Sequence, residues 1–184
     1  MNTVEPIRDI ETVQDIADYL NKKNVRDYVM FLFGIYSGLR ISDILKFRVR
    51  DVKNKNHISL REKKTGKEKK FPINDELRSI IKEYIKNKDE YEFLFKHPNE
   101  NHPISRQQAY NILNEAGKEF GLDSIGTHTL RKTFGYHMYQ QTHDIVTIQK
   151  ILNHSSIDVT YRYIGITQDI KDNAMRKLSF RKKR

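Results

Sequence analysis

Nine consecutive residues, Tyr28-Val29-Met30-Phe31-Leu32-Phe33-Gly34-Ile35-Tyr36, carry no charge. The run is too short to span a bilayer, which needs about 18 or more apolar residues. It reads as a helix buried on all sides, so the other elements must wrap it. Residues 10–22 supply a helix ahead of it, with Ile10, Val13, Ile16, Ala17 and Leu20 on one face. Residues 24–37 make the central helix, which Gly38 breaks, and a short third helix runs over residues 41–46.

Two short strands are expected at residues 56–61 and 69–73, with Gly66 in the turn between them, and a third at residues 91–95. Asn74 suits the cap of a helix over residues 75–87, with Leu77, Ile80, Ile81, Tyr84 and Ile85 inward. A polar loop at residues 97–103 leads into helices over residues 105–119, 128–141 (capped by Thr127), 144–152 and 167–178. The expected fold class is mainly α with a small antiparallel β-sheet (α+β). One domain is expected over residues 1–178, followed by a basic tail at residues 179–184.

Lys and Arg number 34 against 24 Asp and Glu, giving a net charge of +10. That excess favours a polyanionic partner, of which nucleic acid is the commonest. The absence of cysteine excludes disulfides, thiol catalysis and cysteine-based metal sites. Met1-Asn2-Thr3-Val4-Glu5-Pro6 lacks the charged and apolar regions of a signal peptide, so a cytoplasmic location is expected. His57, His97, His102, His137 and His143 show no zinc-type spacing, and neither metal nor other cofactor is expected.

The last third concentrates chemistry: His128-Thr129-Leu130-Arg131, Leu152-Asn153-His154-Ser155-Ser156, then Tyr163. Phosphodiester transfer needs a nucleophile, a clamp for the non-bridging oxygens and a proton for the leaving oxygen. Arg40 and Arg131 are suited to the clamp, because each offers a fixed, permanently charged fork of donors. Arg131 follows His128 by three residues, so both share a helix face. A tyrosine is a weak nucleophile: a pKa near 10 leaves about one part in a thousand ionised, an uphill cost of roughly 4 kcal/mol. Tyr161 and Tyr163 both qualify, and spacing alone does not choose between them. Lys64 sits among Arg61, Lys63, Lys67, Lys69 and Lys70, and a lysine there suits a general acid. Each group has a bland reading too. Arg131 and the lysine run could be solvated surface, and the tyrosines could be packing.

Taken together, these residues resemble the tyrosine recombinases, or phage-type integrases. Ser37-Gly38-Leu39-Arg40-Ile41-Ser42-Asp43 resembles the first arginine box, and Lys64-Thr65-Gly66-Lys67 the lysine hairpin. His128-x-x-Arg131 is similar to the second box, and His154 through Tyr163 to the nucleophile segment. The resemblance selects Tyr163 over Tyr161 and Lys64 over Lys63. It implies that Tyr163 attacks a DNA phosphate to form a 3′-phosphotyrosine and that Arg40 and Arg131 hold that phosphate. His128 would assist proton transfer, Lys64 would act as general acid, His154 would bond a phosphate oxygen, and Asp43 would orient the site from behind. It implies double-stranded DNA as partner and a homotetramer on paired sites, docked through Ile170, Ala174 and Leu178. With the first arginine already at position 40, no N-terminal core-binding domain is expected, and a partner could supply that half of the DNA clamp. The alternatives are a non-catalytic DNA-binding regulator of the same fold, or a relaxase of the type IB topoisomerase kind.

Overall fold

A computed structural model describes residues 4–61, 68–122, 125–167, 172 and 175–178. Within these residues the chain is mainly helical with one two-stranded antiparallel sheet. The buried run sits in α2 (Val25–Ser37), where Val29, Met30, Phe31 and Phe33 are fully enclosed. Each large side chain so enclosed stabilises the fold by about 1.5–3 kcal/mol. The Phe33 ring also meets Phe47 and Phe95, with centroids 5.4 and 5.8 Å away.

Around α2 pack α1 (Ile10–Lys23), α5 (Asp75–Tyr84) and α7 (Thr127–Thr142). Helix α1 is capped by Asp9, whose side chain accepts from the Thr12 backbone N–H. Its buried face is Val13, Ile16, Ala17 and Leu20. Ile10 is 55% exposed, contrary to its expected place on that face. It is the first helical residue, and the face it was assigned to meets the core only one turn later.

The chain then forms α3 (Ile41–Ile44), α4 (Val49–Val52), and strands β1 (His57–Arg61) and β2 (Glu68–Pro72), paired from His57↔Pro72 to Arg61↔Glu68. No third strand forms among the described residues. Residues 91–95 make one isolated bridge, Arg48↔Phe93. The stretch and the residue before it serve a helix instead: the Glu92 and Glu90 carbonyls accept from the Val49 and Arg50 N–H groups, each at 3.0 Å. Those are first-turn donors that α4 itself cannot pair.

Helix α6 (Arg106–Glu119) opens with a capping box between Ser105 and Gln108. The cap of α7 is Gly126, not Thr127, and the Gly126 N–H donates to Thr129 Oγ1 at 3.1 Å. Helices α8 (Ile145–Leu152) and α9 (Ile157–Tyr163) follow, and the described residues 172 and 175–177 beyond them are again helical. Helices α8 and α9 rest on a second, smaller core of Ile145, Ile148, Leu152, Ile164 and Ile166, flanked by Phe134, Tyr161 and Tyr163. An N-terminal arm lies across α7. Ile7 N–H donates to Thr133 Oγ1 at 2.9 Å, and the Ile7 carbonyl meets His137 Nε2 at 2.9 Å. The expected helix over residues 167–178 and its docking residues Ile170 and Ala174 fall largely outside the described residues, as does the basic tail. Leu178, within them, is 60% exposed.

Candidate active site

Arg131 organises the site. Its side chain is 5% exposed, so it is not a surface charge. One Nη donates to the Gly38 carbonyl at 2.6 Å, and the other donates to the Leu152 carbonyl. One guanidinium thereby joins the ends of α2 and α8 to α7, and it also reaches the Tyr163 hydroxyl. Gly38 makes this possible: at φ 61° it lies in the left-handed region that favours glycine. A Cβ built there would come within 2.4 Å of Phe134.

Arg40 stands at the N-cap of α3, in extended backbone directly after that turn. It shares an open cavity of about 180 Å³ with His128, Arg131, Thr127 and Arg106. That volume suits a phosphate group better than the 300–1,000 Å³ of a drug-sized ligand. Asp43 lies one turn into α3, bonded to Lys46 at 2.9 Å, and its charge reaches Arg131. Lys64 lies outside the described residues.

The end of α8 turns through Asn153 in the left-handed conformation, and Ser156 caps α9. His154 therefore lies on the loop between two helices, its Nδ1 3.2 Å from Thr160 Oγ1. The Thr160 hydroxyl donates to the Ser156 carbonyl at 3.0 Å, which leaves Nδ1–H of His154 as the donor in that pair. Burial, then the charges of Arg131 and Arg40, push His154 down to about 4. Its imidazole is neutral at neutral pH.

Tyr163 ends α9, and its ring meets His154 edge-on at 4.8 Å. Its hydroxyl lies 3.5 Å from His128 Nδ1, close but beyond a strong hydrogen bond. Burial raises its pKa above the ordinary 10, opposed by the guanidiniums of Arg131 and Arg40. Burial and the same two arginines also lower His128. A neutral imidazole thus faces a protonated phenol, the arrangement a base needs before it takes a proton. Tyr161 points elsewhere: its ring packs on Tyr139, centroids 5.7 Å apart.

Five of the sequence-derived residues, Arg40, His128, Arg131, His154 and Tyr163, are thus brought into one neighbourhood. Two further cations there were not anticipated. Arg106 opens α6 on the cavity wall, and Lys132, 6% exposed, places Nζ 5.3 Å from the centre of the Tyr163 ring. Lys132 was detectable in principle, since it falls four residues after His128 and so on the same face.

The model of the phage integrase family matches residues 8–169. A relative named probable integrase/recombinase YoeC, from Bacillus subtilis (strain 168), is 55% identical over 169 residues, 92% of this chain and 93% of its own. Tyrosine recombinase XerA of Pyrococcus furiosus is 29% identical over 161 residues, 85% of this chain but 56% of the relative, so this chain spans little more than half of that protein. Among solved structures, a XerH site-specific recombinase bound to a palindromic difH substrate, in a post-cleavage complex, superposes with a TM-score of 0.71 at 18% identity. That likeness covers 94% of this chain and 53% of the other. By the family model over residues 8–169 and the 55% identity to the Bacillus subtilis relative, the chain belongs to the phage integrase family of tyrosine recombinases.

Proposed function

We propose that this protein cleaves and rejoins duplex DNA through a covalent 3′-phosphotyrosine bond on Tyr163. The observation that carries this reading is the position of the Tyr163 hydroxyl, beside His128 Nδ1 and the Arg131 charge, while Tyr161 is turned onto Tyr139. A scissile phosphate seated in the cavity meets Arg40 and Arg131, whose donors gather the charge that builds on its non-bridging oxygens.

The phenol oxygen forms the new P–O bond as His128 Nδ1 takes its proton. The bond from phosphorus to the 5′ oxygen breaks, and that oxygen leaves as a hydroxyl, protonated in this reading by Lys64. Attack by a 5′-hydroxyl of another strand reverses these steps and frees Tyr163. One phosphate ester replaces another, so the reaction needs no input of bond energy. Asp43 steadies the arginines from behind. His154, neutral in the free protein, can donate from Nε2 to phosphate only after it gains a proton, and the negative charge of bound DNA favours that gain.

Double-stranded DNA as partner fits the net charge of +10 and the DNA-bound state named for the structural relative. Assembly as a homotetramer on two paired sites, and a partner supplying further grip on the duplex, complete the reading. No helix among the described residues is long and apolar enough to cross a membrane.

A nicked suicide duplex, drawn from a random pool or from the ends of the host element, tests the proposal. The wild type and Tyr161→Phe are expected to give a covalent adduct on a denaturing gel, and Tyr163→Phe none. An adduct that persists in Tyr163→Phe refutes the assignment. Retained DNA binding with no adduct in any form points to the non-catalytic regulator.

A further inference from the structure

Lysine is among the residues least often buried without a partner. Lys132 is 6% exposed, and no carboxylate lies within ion-pair distance of it among the described residues. Its Nζ instead sits over the Tyr163 ring, 5.3 Å from the centroid, within the range of a cation–π contact. Burial lowers its pKa, which the charge of Glu5 on the N-terminal arm opposes. The groups facing Tyr163 are therefore His128, Arg131 and Lys132 of α7, His154 of the α8–α9 loop, and Arg40 ahead of α3. Both imidazoles have lowered pKa values. Arg131 donates to two backbone carbonyls and reaches the Tyr163 hydroxyl, and Arg40 lines the cavity. That leaves Lys132 as the one of these cations whose contact is with the ring itself.

We propose that Lys132 is a positioning residue for the nucleophile, holding the Tyr163 ring by its face and stabilising the phenolate character that it gains during attack. This rests on Tyr163 being the nucleophile. Negative charge that builds on the phenol oxygen spreads into the ring, so the attraction to an ammonium over the face strengthens as the reaction proceeds. Interactions that strengthen only then accelerate the chemical step.

The test compares wild type, Lys132→Met, which keeps the bulk, and Lys132→Arg, which keeps the charge. Single-turnover cleavage of the suicide duplex is followed across pH, with thermal melts to confirm folding and Lys132→Gln in reserve. At neutral pH, Lys132→Met is expected to cleave about tenfold more slowly. Its deficit should shrink as pH rises toward the phenol's own ionisation, and Lys132→Arg should recover most of the rate. A purely structural role predicts a deficit equal at every pH and not recovered by arginine, and that result overturns the proposal, as does a wild-type rate in Lys132→Met. A second measurement does without DNA: ¹³C-tyrosine NMR titration, with Tyr163 identified by its loss in Tyr163→Phe. Lys132→Met should raise the apparent pKa of Tyr163, and an unchanged value refutes the inference even if the wild type forms no adduct.

Discussion

Acid should weaken this fold through His154 in particular. The imidazole is held at about 4 in the folded protein, against an ordinary value of 6.5. A base whose folded pKa is depressed takes up its proton more readily when unfolded. Its contribution is therefore complete above about pH 6.5 and is lost as pH falls toward 4. Between about pH 7.5 and 4.5 the full shift corresponds to about 2.5 kcal/mol, at 1.36 kcal/mol per unit. His154 retains some contact with solvent, which screens the effect, so about 1–2 kcal/mol is expected. Other groups lose stability over the same range, His128 among them. The relevant quantity is thus the difference from His154→Gln, which has no proton to gain. Urea unfolding of both proteins at the two pH values provides it, with the wild type losing more on acidification. The imidazole Hε1 shift in NMR gives the pKa directly. A difference that stays flat with pH, or a His154 that titrates near 6.5, refutes the reasoning.

Two substitutions probe the frame around Arg131. Arg131→Met leaves the Gly38 and Leu152 carbonyls without their charged donor and should cost about 2–5 kcal/mol in urea unfolding, in addition to abolishing cleavage. Gly38→Ala combines left-handed strain with a methyl driven against Phe134, and a loss of about 2–5 kcal/mol is expected from the same measurement.

What the sequence revealed depended on how local the cause was. The central helix was legible because an uncharged, mostly apolar run has few places to go except inside. The chemical groups between residues 128 and 163 stood out because restrictive residue types crowd into a short stretch, and the family resemblance tied Arg40 and Lys64 to them. Helix α9 was not foreseen: Ile157, Val159, Thr160 and three aromatic or β-branched neighbours read locally as strand. The Ser156 cap and the second core impose the helix from outside. Residues 91–95 failed in the opposite sense: the Glu92 carbonyl takes the Val49 N–H of α4, and the Leu94 N–H donates to the Phe47 carbonyl, in place of a strand ladder. The face of Lys132 could be counted from His128, but its distance to Tyr163 depends on how α7 and α9 pack, which no local pattern encodes.

The double duty of the Arg131 guanidinium bears on safety as much as on catalysis. An enzyme that cleaves DNA, as proposed for this one, is most hazardous while it is being made or unmade, when its chain is partly assembled. Here the arginine proposed to hold the phosphate is oriented by carbonyls 93 residues upstream and 21 residues downstream of it. A nascent or fraying chain in which either end has let go no longer aims that side chain. In the proposed mechanism, cleavage of DNA is thereby tied to a finished fold.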